Sequence, residues 1–152
     1  MKFFSILLLI LAFNIFGADE FSCGSIECDD FTVNISNNAD LQSGLSTYMN
    51  YCYGCHSLQY SRYKRVAEDL DIPIDLYIEN LIYDGSKPGE LMKISLSKED
   101  AINWLGAYPP DLTLEARVRK PEWIYTYLRS YYSDASRPYG VNNLVYKNVS
   151  MP

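Results

Sequence analysis

The chain has 152 residues, of which 48% are hydrophobic and 21% are charged, a balance typical of one globular domain rather than of a disordered segment. The formal net charge is −6, and the 13 basic residues are scattered singly or in pairs. Because phosphate recognition depends on clustered Lys and Arg, this composition argues against nucleic-acid binding.

The N-terminus combines one basic residue with a long apolar run. Lys2 precedes an almost unbroken apolar stretch over residues 3–16, and Gly17 and Ala18 follow it. The stretch is shorter than the about 20 apolar residues that a membrane-spanning helix needs, and the pattern is typical of a secretory signal peptide. We therefore predict that residues 1–18 are a signal peptide and that the chain is exported, with retention as an uncleaved anchor as the alternative.

The next segment, residues 19–39, is polar and rich in Ser, Asn and Asp. It shows no sustained apolar period, so we expect a poorly structured lead-in. Cys23 and Cys28 lie within it. In an oxidising compartment we expect them to form a local disulfide or to be incidental.

From Asp40 onward the apolar residues recur with helical spacing, and Asp40 itself suits the N-cap of the first helix. Five segments show such a pattern: residues 40–52, 60–70, 73–82, 97–105 and 121–131. Ser97 is expected to cap the fourth helix, and Pro121 suits the first turn of the fifth. No strand hairpin or repeat competes with these patterns, so the sequence predicts an all-α domain over residues 40–152.

The candidate functional site is the segment Cys52-Tyr-Gly-Cys-His56. Two thiols three positions apart can add to the two vinyl groups of one haem, and the adjacent imidazole then reaches the iron. His56 is the only histidine of the chain, and export supplies the compartment in which such attachment occurs. The sequence therefore predicts one covalent haem c held by Cys52 and Cys55, with His56 as an iron ligand and electron transfer as the function.

Two other uses of the cysteines compete with haem attachment. All four could hold a structural zinc ion, although the first pair is spaced by five positions in a polar segment. A catalytic dithiol is the second possibility, but that motif normally follows a strand, whereas a helix is predicted before Cys52. Both are weaker predictions than haem attachment.

A sixth iron ligand must come from the opposite face of the haem, and methionine is the natural candidate in a chain with no second histidine. Met49 lies in the helix that enters the motif, so we expect it to pack in the core. Met92 and Met151 are then the two candidates.

Several segments around the haem motif carry a family resemblance. They are residues 51–60 (YCYGCHSLQY), 106–114 (GAYPPDLTL), 116–119 (ARVR), 123–129 (WIYTYLR), 136–143 (SRPYGVNN) and 148–152 (NVSMP). Together they resemble cytochrome c1, the haem subunit of the quinol:cytochrome c reductase (cytochrome bc1) complex. The resemblance implies a class I cytochrome c-like fold, an all-α helical domain with extended loops around a covalently bound haem.

The resemblance also implies roles for single residues. Met151 stands in the position of the family's axial methionine, and Met92 is then the alternative. Arg119, with Arg117 as its neighbour, matches an arginine that lies against a haem propionate. Tyr48 matches a tyrosine that packs near the haem, and the double proline of residues 109–110 is expected to form a loop at the haem edge.

The implied function is electron transfer within a complex, not catalysis by the chain alone. The family takes electrons from the Rieske iron–sulfur protein and passes them to a cytochrome c, beside cytochrome b on the periplasmic side of the bacterial inner membrane. It continues beyond the axial methionine into a C-terminal transmembrane anchor. We therefore expect residues 40–152 to be an incomplete, C-terminally truncated domain, held at the membrane by the complex or by that absent anchor. The alternatives are a free periplasmic monohaem carrier and a zinc- or disulfide-stabilised exported binding module.

Overall fold

The computed structural model describes residues 22–152, so the predicted signal peptide lies outside the described residues. This part forms six α-helices, one π-helical turn and four short β-strands. In chain order these are α1 (Asn38–Thr47), the π-helical turn (Tyr48–Cys52), β1 (Leu58–Arg62), α2 (Tyr63–Asp69), α3 (Ile74–Leu81), β2 (Leu91–Met92), α4 (Lys98–Leu105), α5 (Glu115–Val118), α6 (Pro121–Arg129), β3 (Tyr131–Ser133) and β4 (Val141–Asn143). Across residues 22–152, no helix combines the length and the apolar character needed to cross a membrane.

The helix ends follow from capping residues. Ser97 caps α4, because its side chain accepts the backbone N–H of Asp100 at 3.0 Å, and Pro121 occupies the first turn of α6, both as predicted. Asp40 was the predicted N-cap of α1, and this prediction is wrong. The N-cap is Asn37, whose side chain accepts the N–H of Asp40, so the helix begins earlier than the apolar pattern indicates.

The all-α prediction is confirmed only in part, because the described residues also form two antiparallel two-stranded sheets. In the first, β1 pairs with β2 through Leu58 opposite Met92, with an irregular register. In the second, β3 pairs with β4 from Tyr131 opposite Asn143 onward. Strands of two to five residues are too short for an alternating pattern to appear, and the sequence therefore did not predict them.

The main hydrophobic core lies between α1, the π-helical turn, α2, α3 and β2. Its buried members are Leu45, Met49, Tyr53, Tyr63, Ala67, Tyr77 and Met92. Met49 therefore packs in the core, as predicted. The rings of Tyr53 and Tyr63 meet edge to face with centroids 6.3 Å apart, and their hydroxyl oxygens are 2.5 Å apart. Because Tyr53 belongs to the haem motif, the core directly supports the candidate site.

Residues 22–37 of the lead-in form neither helix nor strand, yet they are fastened to the domain. Cys23 and Cys28 form a disulfide, which confirms the prediction of a local bridge. Asp29 forms an ion pair with Arg129 of α6 at 2.8 Å. The segment therefore packs against α6, where the sequence alone suggested a poorly structured stretch.

Candidate haem attachment site

The haem motif is presented by a change of helix type at the end of α1. The N–H of Tyr53 donates to the carbonyl of Tyr48 at 2.9 Å, which closes a π-helical turn five residues wide. Such turns occur frequently at functional sites. The N–H groups of Cys55 and His56 then both donate to the carbonyl of Cys52, at 3.0 and 2.9 Å. These bonds hold both thiols and the imidazole within one compact turn.

Both motif thiols are available for covalent attachment. Cys52 is half-buried, Cys55 is exposed, and neither forms a disulfide. Burial, and then the neighbouring Cys55, raise the pKa of the Cys52 thiol, so this group is neutral at physiological pH. A zinc site using all four cysteines is not formed, since Cys23 and Cys28 are bonded to each other, and residues 22–152 contain no cluster of metal-ligating side chains.

The imidazole of His56 is held in one tautomer. Its Nδ1 lies 2.8 Å from the carbonyl oxygen of Pro110. A carbonyl can only accept a hydrogen bond, so Nδ1 carries a proton, and in the neutral imidazole Nε2 then keeps its lone pair. A ligating histidine needs this state, because the outer hydrogen bond orients the ring and leaves the other nitrogen for the metal.

The loop that supplies this carbonyl is clamped to the chain that follows the motif. One oxygen of Asp111 accepts the N–H of Gln59 at 2.7 Å, and the other accepts the N–H of Thr113 at 3.1 Å. The N–H of Leu112 donates to the carbonyl of Ser57 at 2.9 Å. The Pro110 carbonyl, which is the partner of His56, is therefore held in place by the hydrogen bonds of the next two residues, Asp111 and Leu112.

Tyr48 lies beside the motif. Its hydroxyl donates to the backbone carbonyl of His56 at 2.5 Å. Burial, followed by the nearby Cys52, raises the pKa of Tyr48 well above its ordinary value, so the hydroxyl remains a neutral donor. The contact with a haem that the resemblance implies for Tyr48 stays a prediction.

Arg119 and Met151 are connected through aromatic side chains of α6. The guanidinium of Arg119 is 4.7 Å from the ring centroid of Trp123, and its Nε is 3.5 Å from Glu115. Trp123 stacks on Tyr127 at 5.1 Å, and the Tyr127 hydroxyl donates to the Met151 sulfur at 3.6 Å. The role of Arg119 toward a propionate stays a prediction, because its contacts here are with α5 and α6.

The two candidate methionines lie in different environments. Met92 is fully buried in β2 and packs in the main core. Met151 is partly exposed and lies beside the aromatic side chains of α6. The assignment of either methionine as the sixth iron ligand stays a prediction.

Two contacts were not predicted from the sequence. The carbonyl of Pro110 is the partner of His56, and its only sequence signal was the double proline. Tyr127 donates to Met151, although the sequence indicated only a place on the apolar stripe of α6. Backbone carbonyls and long-range side-chain contacts leave no local pattern, which is why such partners are missed.

Two free thiols in one turn, beside an imidazole, are the arrangement that covalent attachment of a c-type haem requires. Comparison with known proteins leads to the same cofactor. The chain is 47% identical over 131 residues to a protein named cytochrome c1 from Allochromatium vinosum, a match that covers 86% of this chain and 54% of that protein. It is 36% identical over 127 residues to a protein named ammonia monooxygenase gamma subunit from Nitrosomonas europaea, covering 84% and 54%. No protein-family model matches the chain.

The first match confirms the resemblance to cytochrome c1 and, with it, the prediction of one covalently bound c-type haem. The chain spans about half the length of both curated relatives, 54% of each. The similarity therefore does not by itself assign the activity or the partners of these relatives to this chain.

Proposed function

We propose that this chain transfers electrons through a haem c that Cys52 and Cys55 would bind covalently and whose iron His56 and Met151 would hold, as the haem-bearing part of a cytochrome c1. The observation that carries the proposal is the hydrogen bond from His56 Nδ1 to the Pro110 carbonyl beside two free thiols. This arrangement prepares the imidazole nitrogen for an iron and leaves both sulfurs able to react.

The attachment chemistry follows from the state of the thiols. Each thiol adds across one vinyl group: its S–H bond breaks, a C–S bond forms at one carbon, and the hydrogen goes to the other carbon without net oxidation. Burial of Cys52 keeps its thiol protonated until the vinyl group is presented. The haem then supplies a one-electron redox change, and the chain's residues decide how it is oriented and exposed.

The residues around the motif tune this redox change. The Pro110 carbonyl makes His56 a more basic ligand, and a methionine opposite a histidine raises the reduction potential. Arg119, whose guanidinium lies over the ring of Trp123, would pair with a propionate carboxylate by a two-pronged contact. The family's class I cytochrome c-like fold, spanning residues 40–152 after a lead-in over 19–39, is part of the same proposal.

The wider setting is proposed from the similarity to cytochrome c1. The chain would accept electrons from the Rieske iron–sulfur protein and pass them to a cytochrome c, beside cytochrome b on the periplasmic side of the bacterial inner membrane. The name ammonia monooxygenase gamma subunit describes the second relative and is not transferred to this chain. The contacts of residues 22–152 give no reason to prefer a monooxygenase role for this chain.

The test is a pyridine haemochrome spectrum of the chain expressed with periplasmic haem-attachment machinery and stripped of noncovalent haem. We expect a c-type α-band for the parent and none for the Cys52→Ala/Cys55→Ala variant. Met151→Leu should keep the α-band but lose the sulfur-to-iron charge-transfer band of the ferric state, whereas Met92→Leu should keep both. A parent without an α-band would contradict the proposal.

Membership of the complex needs a separate experiment. An affinity-tagged version of the chain is isolated from detergent-solubilised membranes of the source cells, and the copurifying haem and iron–sulfur proteins are identified. Cytochrome b and the Rieske protein should copurify. A c-type haem signal without either protein would favour the free monohaem carrier.

A further inference from the structure

We propose that the N-terminal disulfide loop positions the segment that carries Met151, and thereby helps to hold the sixth ligand on the iron. The loop is defined as residues 22–31, closed by the Cys23–Cys28 disulfide. The inference rests on the Met151 ligation proposed above. It assigns a role to the two cysteines that take no part in haem attachment.

The disulfide loop approaches the chain before Met151 very closely. Gly24 has φ 71°, and a Cβ built at this residue would lie 2.6 Å from the carbonyl oxygen of Val145 and 3.1 Å from that of Leu144. The Ser25 hydroxyl donates to the same Leu144 carbonyl at 3.2 Å. Only glycine fits at this contact, both for its φ and for the space available.

The disulfide loop is also fixed to α6 on its other side. The N–H of Asp29 donates to the Thr126 hydroxyl at 2.8 Å, in addition to the ion pair of Asp29 with Arg129. Phe31 stacks on Tyr125 with ring centroids 4.4 Å apart. The loop therefore bridges α6 and the segment of residues 144–145. The disulfide limits how far the two sets of contacts can move apart.

From residues 144–145 a continuous set of contacts reaches the Met151 sulfur. The fully buried side chain of Asn143 accepts the N–H groups of Val145 and Tyr146 at 2.9 and 3.1 Å, and donates to the carbonyl of Tyr127 at 2.7 Å. Tyr127 donates in turn to Met151. The disulfide loop and the proposed ligand thus share one hydrogen-bonded unit.

Further along the same segment, Arg137 supplies a second restraint. Its guanidinium donates to the carbonyls of Asn148 and Val149 at 2.9 and 3.1 Å. This contact is made within the C-terminal part of the domain, whereas the disulfide loop comes from more than a hundred positions earlier in the chain. Removing the loop contact is therefore expected to loosen the segment without removing all of its structure.

Restraint of this segment matters because an added ligand competes with the methionine for iron. The apparent affinity of an external ligand rises with the fraction of molecules in which the methionine is detached. A segment held by fewer contacts opens more often. Weakening the disulfide loop should therefore strengthen imidazole binding and weaken the charge-transfer band, while covalent haem attachment is unchanged.

The experiment compares Gly24→Ala with Gly85→Ala in the haem-loaded full chain. Gly85 has φ 76°, but a Cβ there meets no atom within 4 Å, so this control carries the same backbone strain without the clash. We expect imidazole to bind ferric Gly24→Ala about tenfold more tightly than Gly85→Ala. Equal affinities and equal charge-transfer bands in the two variants would overturn the inference.

Two further measurements keep the test decisive if Gly24→Ala does not fold. Ser25→Ala, and reduction of the Cys23–Cys28 disulfide by a phosphine in the folded parent, should shift imidazole affinity in the same direction. No shift in either would overturn the inference. A parent that has the c-type α-band but lacks the charge-transfer band would overturn Met151 ligation together with this inference, while leaving haem attachment standing.

Discussion

Replacing Asp111 by alanine removes the clamp on the loop that holds the histidine partner. The Asp111 carboxylate accepts two backbone N–H groups, from Gln59 at 2.7 Å and Thr113 at 3.1 Å. Hydrogen bonds to a charged acceptor are worth about 1.5–3 kcal/mol each, and the lower part of this range applies to a half-buried group, so for the two bonds we expect a loss of about 3–4 kcal/mol in the free energy of unfolding.

The assay is denaturant unfolding followed by circular dichroism, with two comparisons. Asp111→Asn should lose less than Asp111→Ala, because the amide oxygen can still accept one of the bonds. Asp69→Ala is the control, since Asp69 pairs with Arg65 at 2.8 Å on the exposed surface, where such pairs contribute little to stability. An Asp111→Ala loss no larger than that of the control would refute the clamp.

The remaining predictions concern acid stability and a buried hydroxyl. Hydrogen bonds from Ser136 and Asn142 lower the pKa of Asp134, so its contribution to stability is present above the ordinary carboxyl pKa and is lost as the pH falls through the lowered folded-state value. Thermal melts should therefore show a smaller loss on acidification for Asp134→Asn than for the parent. Burial raises the pKa of Tyr77 to about 12, and its hydroxyl has no hydrogen-bond partner among the described residues. Tyr77→Phe should consequently be neutral or stabilising in denaturant unfolding, whereas Tyr63→Phe, which breaks the bond to the Tyr53 hydroxyl, should cost about 1 kcal/mol; a larger loss for Tyr77→Phe would contradict this order.

Local chemistry explains what could be predicted from the sequence. The thiols of Cys52 and Cys55 and the imidazole of His56 are adjacent in the chain, so their proximity does not depend on tertiary structure. Capping by Ser97 is equally local. The packing of Met49 could be predicted from helical periodicity, because this periodicity places its side chain on the same helix face as the apolar Leu45.

The contacts that were missed are long-range. The bond between His56 and Pro110 joins residues 54 positions apart, and that between Arg129 and Asp29 joins residues 100 positions apart. Neither pair produces a periodic or compositional signal, so the lead-in was interpreted as poorly structured. A polar composition predicts low helix or strand content, but it does not predict how many specific contacts a segment makes.

The π-helical turn that follows α1 affects the direction in which later side chains point around the helix axis. Each residue of an α-helix advances by about 100° around the axis, so the direction of a residue beyond the helix depends on the number of residues before it. The wider turn over Tyr48–Cys52 accommodates one additional residue at the junction. The core-facing side of α1, with Leu45, is thereby set independently of the direction in which the two motif sulfurs leave the helix. Deleting one residue between positions 48 and 51 would rotate the sulfurs relative to the core while leaving every residue of the motif present.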